Sequence, residues 1–291
     1  MLLRLLFQFF LIILSFQTAF SEGFSYNGRD NVIGVIRNYK VKDNESLIEI
    51  ARRFGLGYNE IVDANPELDP FLPGKDKVVT IPTMWILPSI ERDGIVINLS
   101  EMRLYYFMKK KGSIVIKTYP IGIGDDGTET PPGIYKITEK KVNPSWFVPK
   151  SIKKERPELP DVVPPGPENP LGSRALRLSN SSYLIHGTNR PWAVGRKVTH
   201  GCIRLYPEDI IKLYKSVTIG TIVQIIREPV KVGMKDGKVY IEVHKDDKSN
   251  INYLNRAVEL LIYKGLLKNV DLEKLYTAIE EKKGIPVLIS S

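Results

Sequence analysis

The chain has few residues that could be cross-linked or could hold a metal. Its 291 residues include one cysteine, Cys202, and three histidines, His186, His200 and His244. A single cysteine has no partner for an intramolecular disulfide. Two histidines and this cysteine could ligate zinc, but a glycine beside Cys202 suits an oxyanion site better than a zinc site. The sequence therefore predicts no metal and no other cofactor.

Negative charge is also scarce relative to positive charge. Lys and Arg number 42 against 33 Asp and Glu, which gives a formal net charge of +9 and a pI near 9.3. This balance favours an anionic partner, either a wall polymer or a nucleic acid. The basic residues are scattered and nothing resembles a nucleic-acid-binding fold, so a solvated basic surface is the alternative and no nucleic-acid partner is predicted.

The start of the chain, Met1 to Ser21, has the pattern of a secretory signal. Arg4 supplies the positive start, and Leu5 to Leu14 is apolar apart from Gln8. Ala19 and Ser21 place small residues where a signal peptidase prefers them. The run is short for a spanning helix. A cleaved signal or an uncleaved anchor both predict export, to the periplasm or cell envelope.

The stretch from Tyr183 to Leu205 carries the predicted chemistry. The apolar run before His186 is typical of a buried strand, with His186 at its end and Gly187 allowing a turn. Gly201 allows several N–H groups to converge beside a thiol, as an oxyanion site requires. A nearby imidazole can activate a thiol at neutral pH. The hypothesis is that His186 activates Cys202, with the Gly187 carbonyl fixing the imidazole tautomer.

The alternative for Cys202 is a small buried residue of the core, the usual fate of a lone cysteine. Two observations weigh against it. The flanking His-Gly and Ile-Arg pairs are not purely apolar. An exported lone cysteine also risks oxidation, so keeping it suggests that the thiol is used.

The same stretch resembles the signature of YkuD-type L,D-transpeptidases, which cross-link or modify bacterial peptidoglycan. The matching residues are His186-Gly187, Thr199, Gly201, Cys202, Ile203 and Arg204. Threonine at position 199 is less common in that pattern than serine. The resemblance extends upstream to Asn143–Ile152 and Leu159–Leu178 and covers about two-thirds of the chain.

The resemblance implies a mainly β catalytic domain, a YkuD-type β-sandwich, that works by two-step acyl transfer. Cys202 attacks a tetrapeptide and releases the terminal D-alanine, and an acceptor amine resolves the thioester. His200, Gly201 and Gly187 are the expected oxyanion or orienting residues. Arg204, Thr199 and Trp146 are the expected substrate contacts, with support of the loop as the alternative role for Arg204.

A second resemblance covers residues 38–82, which read as a strand, two helices and a strand. They resemble a LysM module of βααβ order, which binds N-acetylglucosamine-containing glycans such as peptidoglycan. Asp43 or Asn44 is expected to cap the first helix. The usual Gly-Asp-Thr turn is absent, and a packing module without sugar contact is the alternative. Trp85 to Arg92 is predicted to be a linker.

The catalytic domain is expected over residues 92–227. Strands are predicted at Gly94–Leu99, Arg103–Met108, Ser113–Pro120 and Thr221–Ile226, and a helix at Pro207–Ser216. The proline-rich segment Asn143–Leu171 is too long for an ordinary loop. In the family that the chain resembles, this segment covers one side of the active-site groove. It is therefore predicted to be a lid, with Trp146 either in the groove wall or anchoring the loop on the core.

The remaining residues, 228–291, are expected to form an extension of unknown role. It reads as a hairpin around Asp236-Gly237 followed by two amphipathic helices. His244 is predicted to be a strand-face residue without a role.

The sequence leaves the final acceptor open. Peptidoglycan stem peptides and glycan strands are the expected partners, with an envelope lipoprotein as another acceptor. Resolution by water would make the protein an L,D-carboxypeptidase. The pattern is also compatible with a hydrolytic cysteine peptidase, although the histidine-first order departs from the usual order of such peptidases, and with a catalytically idle wall-binding protein.

Overall fold

The computed structural model describes residues 23–290 apart from 27, 111, 126, 129 and 181. The predicted export signal, Met1 to Ser21, lies outside the described residues. Within the described part of the chain, no helix combines the length and the apolar character needed to cross a membrane.

The strands, in chain order, are β1 (Phe24–Tyr26), β2 (Val32–Gly34), β3 (Arg37–Lys40), β4 (Val78–Ile81), β5 (Met84–Ile86), β6 (Gly94–Asn98), β7 (Arg103–Lys110), β8 (Ser113–Pro120), β9 (Ile123–Gly124), β10 (Gly133–Val142), β11 (Trp146–Phe147), β12 (Val162–Val163), β13 (Arg174–Leu178), β14 (Leu184–His186), β15 (Lys197–Thr199), β16 (Ile203–Arg204), β17 (Ile222–Ile226), β18 (Val230–Lys235), β19 (Lys238–Val243) and β20 (Val287–Leu288). The α-helices are α1 (Leu47–Arg53), α2 (Tyr58–Asp63), α3 (Lys150–Glu155), α4 (Pro207–Ser216), α5 (Tyr253–Tyr263) and α6 (Leu272–Glu281). Short 3₁₀ turns cover Pro191–Ala193 and Leu267–Asn269.

A nine-stranded sheet organises the molecule, in the order β1-β8-β7-β6-β17-β10-β13-β14-β16. Two neighbouring pairs, β6 with β17 and β14 with β16, are parallel, and the other pairs are antiparallel. Both faces of β6 are buried: Ile95 and Ile97 belong to one apolar cluster and Val96 to another. A strand that is buried on both faces has a continuous apolar sequence, as the Ile-Val-Ile of β6 does. The expected mainly β fold is confirmed.

The LysM region consists of the β3–β4 pair with α1 and α2 packed on it. Its predicted order of strand, two helices and strand is confirmed. The predicted cap was wrong, because Ser46 rather than Asp43 or Asn44 caps α1. Ser46 and Glu49 form a reciprocal capping box, whereas Asn44 lies in a left-handed turn before it.

The LysM region shares its apolar core with the catalytic sheet. Its residues Leu47 and Ile50 belong to the same cluster as Tyr105 and Phe107 of β7. The predicted linker was also wrong at its start. Trp85 lies in β5, which pairs with β2, and its side chain is 2% exposed. The apolar cluster therefore continues through the segment expected to separate two domains.

The C-terminal residues form the expected hairpin and two helices. Asp236 and Gly237 both have positive φ, as a tight hairpin turn requires. The hairpin packs with α5, α6 and β20 around its own apolar cluster.

His244 was wrongly predicted to have no role, because it lies in a buried charge cluster. Its Nε2 lies 2.7 Å from Glu242 Oε1. The Lys231 ammonium lies 2.6 Å from Glu101 Oε2 and 2.9 Å from Glu242 Oε1. Because Glu101 lies between β6 and β7, this cluster joins the extension to the catalytic sheet.

Candidate active site

Sheet pairing brings the two halves of the predicted site together. Strand β14 ends at His186, and the parallel strand β16 begins immediately after Cys202. Ile185 is opposite Ile203 and His186 is opposite Arg204. The amide of Leu205 also donates to the His186 carbonyl at 2.9 Å. Because the strands are parallel, Cys202 comes just before the residue opposite Ile185. His186 and Cys202 therefore lie on neighbouring strands, two residues out of register.

The His186 imidazole is buried, with 2% of the residue exposed. Its Nδ1 lies 2.6 Å from the Gly187 carbonyl oxygen, which can only accept a hydrogen bond. The proton is therefore assigned to Nδ1, and Nε2 is left as a proton acceptor. Burial, and then the nearby Arg204 charge, lower the pKa of His186 to about 3, while the Gly187 and Leu171 carbonyls oppose this shift.

The Cys202 thiol is held neutral by a similar balance. Burial raises the pKa of Cys202, and the Leu184 backbone, Arg204 and Arg177 oppose that rise. Arg204 thus lies close enough to act on the pKa of both His186 and Cys202. Burial favours a neutral thiol and a neutral imidazole on these neighbouring strands, and in such a pair a proton can move from the thiol as the sulfur attacks.

The turn before Cys202 depends on Gly201, whose φ is +103°. A Cβ there would lie 2.7 Å from the Thr128 carbonyl oxygen, so only glycine fits. The Thr130 hydroxyl donates to the Gly201 carbonyl from the other side. These contacts fix the backbone immediately before the thiol.

The Thr199 hydroxyl is used within this turn. It donates to the Cys202 carbonyl at 2.8 Å and accepts from the Gly201 amide at 3.2 Å. Thr199 is 2% exposed, so its observed contacts brace the loop. Since the Gly201 amide already has a partner, the amides of His200 and Cys202 are the better candidates for an oxyanion site.

His200 points away from the thiol turn and contacts the predicted lid. Its Nε2 lies 3.0 Å from Glu155 Oε2 at the end of α3. The two side chains are 43% and 61% exposed. The contact links the turn before Cys202 to segment 143–171. It was not predicted from the sequence.

The predicted lid borders a cavity of about 470 Å³. Trp146 lines it together with His200 and Arg204, and Arg156 and Arg190 add positive charge. Among the described atoms, Arg204 Nε is buried without a hydrogen-bond partner. A cavity of this size with a few convergent polar groups can hold a peptide-sized ligand.

Strands β11 and β12 pair within the predicted lid. A second, smaller cavity lies on the other side of this pair. Its volume is about 70 Å³, and Phe147, Arg177 and Leu184 line it. Because neighbouring residues of a strand point to opposite faces, Trp146 borders one cavity and Phe147 the other. The pKa of Cys202 is affected by Arg204 of the first cavity and Arg177 of the second.

Sequence reasoning missed Arg177, Arg190 and Glu155. Arg177 stands in the otherwise apolar strand sequence Arg-Ala-Leu-Arg-Leu, and a charge in such a strand is a usable signal. Arg190 follows the His186-Gly187 pair closely. Glu155 offered no signal, because its contact with His200 depends on how the lid folds over the turn.

Two other features do not belong to this site. A cavity of about 550 Å³ lies between α1 and β8 and is lined by Arg52, Arg103 and Glu208. Both arginines are already paired, Arg52 with Glu208 and Arg103 with Glu60. Among the described residues, Glu101, Glu242 and His244 form a group whose atoms could hold a metal ion. The Lys231 ammonium already contacts both of these carboxylates, so we assign the group to structure.

The fold and the site define an L,D-transpeptidase with a LysM module. Residues 92–225 match the L,D-transpeptidase catalytic domain family, and residues 39–70 match the LysM domain family.

The chain belongs to the L,D-transpeptidase family, whose members are cysteine-dependent acyltransferases. It is 37% identical to the probable L,D-transpeptidase YcfS of Escherichia coli K12, over 89% of this chain and 83% of that protein. It is 36% identical to the probable L,D-transpeptidase YbiS of the same strain, over 93% and 90%. A solved catalytic domain of the Enterococcus faecium L,D-transpeptidase is 20% identical with a TM-score of 0.36, over 48% of this chain and all of that domain.

Proposed function

We propose that this protein is an exported L,D-transpeptidase that uses Cys202 to cross-link peptidoglycan or to attach a protein to it. The observation that carries the proposal is the pairing of β14 with β16, which places His186 and Cys202 on neighbouring strands, two residues out of register. Family membership supports the peptidoglycan role. Export rests on the sequence pattern of Met1 to Ser21.

In the first step, Nε2 of His186 takes the thiol proton as the sulfur attacks the carbonyl of the third stem-peptide residue. The amides of His200 and Cys202 are the proposed donors to the resulting oxyanion. The carbon–nitrogen bond to D-alanine then breaks, and the imidazolium returns the proton to the leaving amine. A thioester on Cys202 remains.

In the second step, an acceptor amine attacks the thioester and Nε2 of His186 takes its proton. The carbon–sulfur bond breaks, and the proton passes back to the sulfur. The product is an amide joined through the third residue. A stem peptide as acceptor gives a cross-link, an envelope lipoprotein gives an attachment, and water gives a tripeptide.

The larger cavity, which Arg204 lines, is the proposed place for a stem peptide. Stem peptides carry carboxylates, which suits the arginines in its lining. We propose that Arg204 contacts a substrate carboxylate, which its buried, unsatisfied Nε supports. Trp146 is proposed as a groove wall because it lines the larger cavity. A direct contact of Thr199 with substrate stays a prediction.

We further propose that the LysM module holds the enzyme on peptidoglycan glycan strands, as its family suggests. The proposed division of the chain is a LysM module at residues 38–82, a catalytic domain at 92–227 and an extension at 228–291. The cell envelope is the proposed location.

The deciding experiment incubates purified protein with disaccharide-tetrapeptide and identifies products by mass spectrometry. A dimer joined through third-position residues is expected with the native protein, and no dimer is expected with the Cys202→Ala protein. His186→Gln should slow the reaction about 10²- to 10⁴-fold, the usual contribution of a general base. Tripeptide alone would favour the carboxypeptidase alternative. An unchanged substrate would favour an idle wall-binding protein.

A further inference from the structure

The LysM region is joined to the loop that separates His186 from Cys202. The amide of Tyr58 donates to the Val194 carbonyl, and the amide of Asn59 donates to the Gly195 carbonyl, both at 3.2 Å. These are the first amides of helix α2, which have no partner inside the helix. The catalytic loop therefore caps a LysM helix through backbone hydrogen bonds.

Two glycines make this approach possible. A Cβ on Gly57 would lie 2.9 Å from Gly195 Cα, and a Cβ on Gly195 would lie 2.1 Å from the Tyr58 nitrogen. The guanidinium carbon of Arg196 lies 3.6 Å from the centre of the Tyr58 ring. Among the described atoms, Arg196 Nε is buried without a hydrogen-bond partner, so the ring face is its main electrostatic contact.

The LysM region also contacts the chain just after Cys202. The Tyr206 hydroxyl donates to the Leu56 carbonyl at 3.0 Å within the core. Arg52 of α1 makes two bonds of 2.9 Å to Glu208 of α4. The segments before and after Cys202 in the sequence therefore both contact the LysM region.

A short route leads from the LysM contact to the thiol. Gly195 and Arg196 are followed by strand β15, which ends at Thr199. The four residue steps from Gly195 to Thr199 span about 13 Å at the spacing of extended chain. Strand β15 pairs with β9, and the Asp125 amide donates to the Thr199 carbonyl at 2.8 Å. The Thr199 hydroxyl then holds the Cys202 carbonyl. A displacement at Gly195 would be carried to Cys202 along this strand.

We infer that the first turn of α2 is a positioning element of the active site, with Gly57 and Tyr58 acting through Gly195 and Arg196 on the placement of Cys202. The LysM module then serves catalysis even on a soluble substrate that it does not bind. This inference rests on the proposed role of Cys202. Its test includes a readout that does not depend on that role.

The principal variant is Gly57→Ala. Gly57 has φ of −85°, which alanine adopts freely, so the added methyl acts through steric contact, 2.9 Å from Gly195 Cα and 2.9 Å from the Asn59 Oδ1 of the same turn. We expect the acylation rate constant with soluble disaccharide-tetrapeptide to fall about 10- to 100-fold with KM little changed, as for a misplaced nucleophile. Iodoacetamide should alkylate Cys202 several-fold faster, with a lower apparent thiol pKa, because the displaced loop exposes more of the partly buried Cys202.

Two variants of Tyr58 test whether the effects come from the loop contact and not from a folding defect. Tyr58→Ala removes the ring beneath Arg196 and should shift both readouts in the same directions, whereas Tyr58→Phe keeps the ring and should restore both. Tyr263→Ala is the matched control, because Tyr263 is 88% exposed on α5. Circular dichroism and thermal melts would establish that each variant is folded at the assay temperature.

Native rates of both acylation and alkylation in folded Gly57→Ala and Tyr58→Ala would overturn the inference. A native protein that is never acylated would instead defeat the proposed function. In that event the alkylation rates, which need only the thiol, still decide whether the LysM turn positions Cys202.

Discussion

The LysM region and the lid segment 143–171 both contact the chain around Cys202, but the contacts differ in kind. The LysM region is joined to the sheet by Glu60 and Arg103, whose side chains are 5% and 0% exposed and 2.7 Å apart. The lid meets the catalytic turn through His200 and Glu155, whose side chains are 43% and 61% exposed. The Glu60–Arg103 contact is buried, whereas the His200–Glu155 contact is exposed to solvent.

The difference indicates which region is fixed and which can move. Arg103 also donates to the Gly55 carbonyl and lies over the Trp85 ring, so it joins three parts of the LysM side. Separating such a buried pair would leave charges without water or partner. An exposed pair exchanges its partner for water at little cost. We therefore expect the lid to open while the LysM region stays in place.

The largest effect is expected from Arg103→Met, which removes one partner of the buried Arg103–Glu60 pair. We expect a loss of about 3–5 kcal/mol in the free energy of unfolding, because Glu60 is left buried and unpaired. Urea unfolding measures this loss. The double variant Arg103→Met with Glu60→Leu should recover a large part of it. A single variant as stable as the native protein would show that Glu60 reaches water and that the junction is loose.

Thr199→Val tests the buried side of the turn itself. Loss of the hydroxyl leaves the Gly201 amide and the Cys202 carbonyl without their partner, so stability should fall by about 1–3 kcal/mol. The acylation rate constant should fall while KM stays near its native value. Thr218→Val, at an exposed position, is the matched control. A rise in KM alone would instead support the predicted substrate contact of Thr199.

Glu155→Gln tests the exposed side. Stability should change by less than about 1 kcal/mol, as for other exposed pairs. Because the substitution weakens the contact of His200 with the lid, KM for the soluble tetrapeptide should change by a few-fold. Glu158→Gln is the matched control, since Glu158 pairs with Arg156 within the lid. Destabilisation as large as that of Arg103→Met would remove the distinction between the two contacts.

The smallest effect is expected from pH. Since the pKa of His186 is lowered to about 3 and that of Cys202 is raised, neither group titrates between about pH 5 and pH 8. The acylation rate constant, measured by intact mass in single turnovers, should therefore be nearly constant over that interval. A fall in rate on acidification through about pH 6.5 would mean that His186 titrates as an exposed histidine does.

Local sequence signals predicted much of the architecture. Helix α4 begins and ends at the predicted residues, since Pro207 suits a first turn and the apolar spacing is regular. The tail hairpin follows from Asp236-Gly237, which favours one type of tight turn. The strand ending at His186 was also foreseen. Each of these depends on a few consecutive residues.

Contacts between distant residues could not be predicted in this way. Trp85 looked like part of a linker because Pro88 and charged residues follow it, yet it packs beside Arg103. The cap of α1 was misplaced because Asp43 and Asn44 are also good capping residues, and only the partner Glu49 selects Ser46. The contact of Arg196 with the Tyr58 ring joins two segments that are distant in sequence. Neither segment contains a local pattern that predicts this contact.

The place of β17 in the sheet has a consequence for the order of folding. This strand lies between β6 and β10, so it joins the half of the sheet that carries the LysM region to the half that carries the thiol. It comes after Cys202 in the chain, and its pairing with β6 places Val223 opposite Ile95. Closing so long a loop is slow and entropically costly. During synthesis, the two half-sheets can be joined only after residue 226 has emerged, so the nascent chain contains Cys202 before the sheet around it is complete.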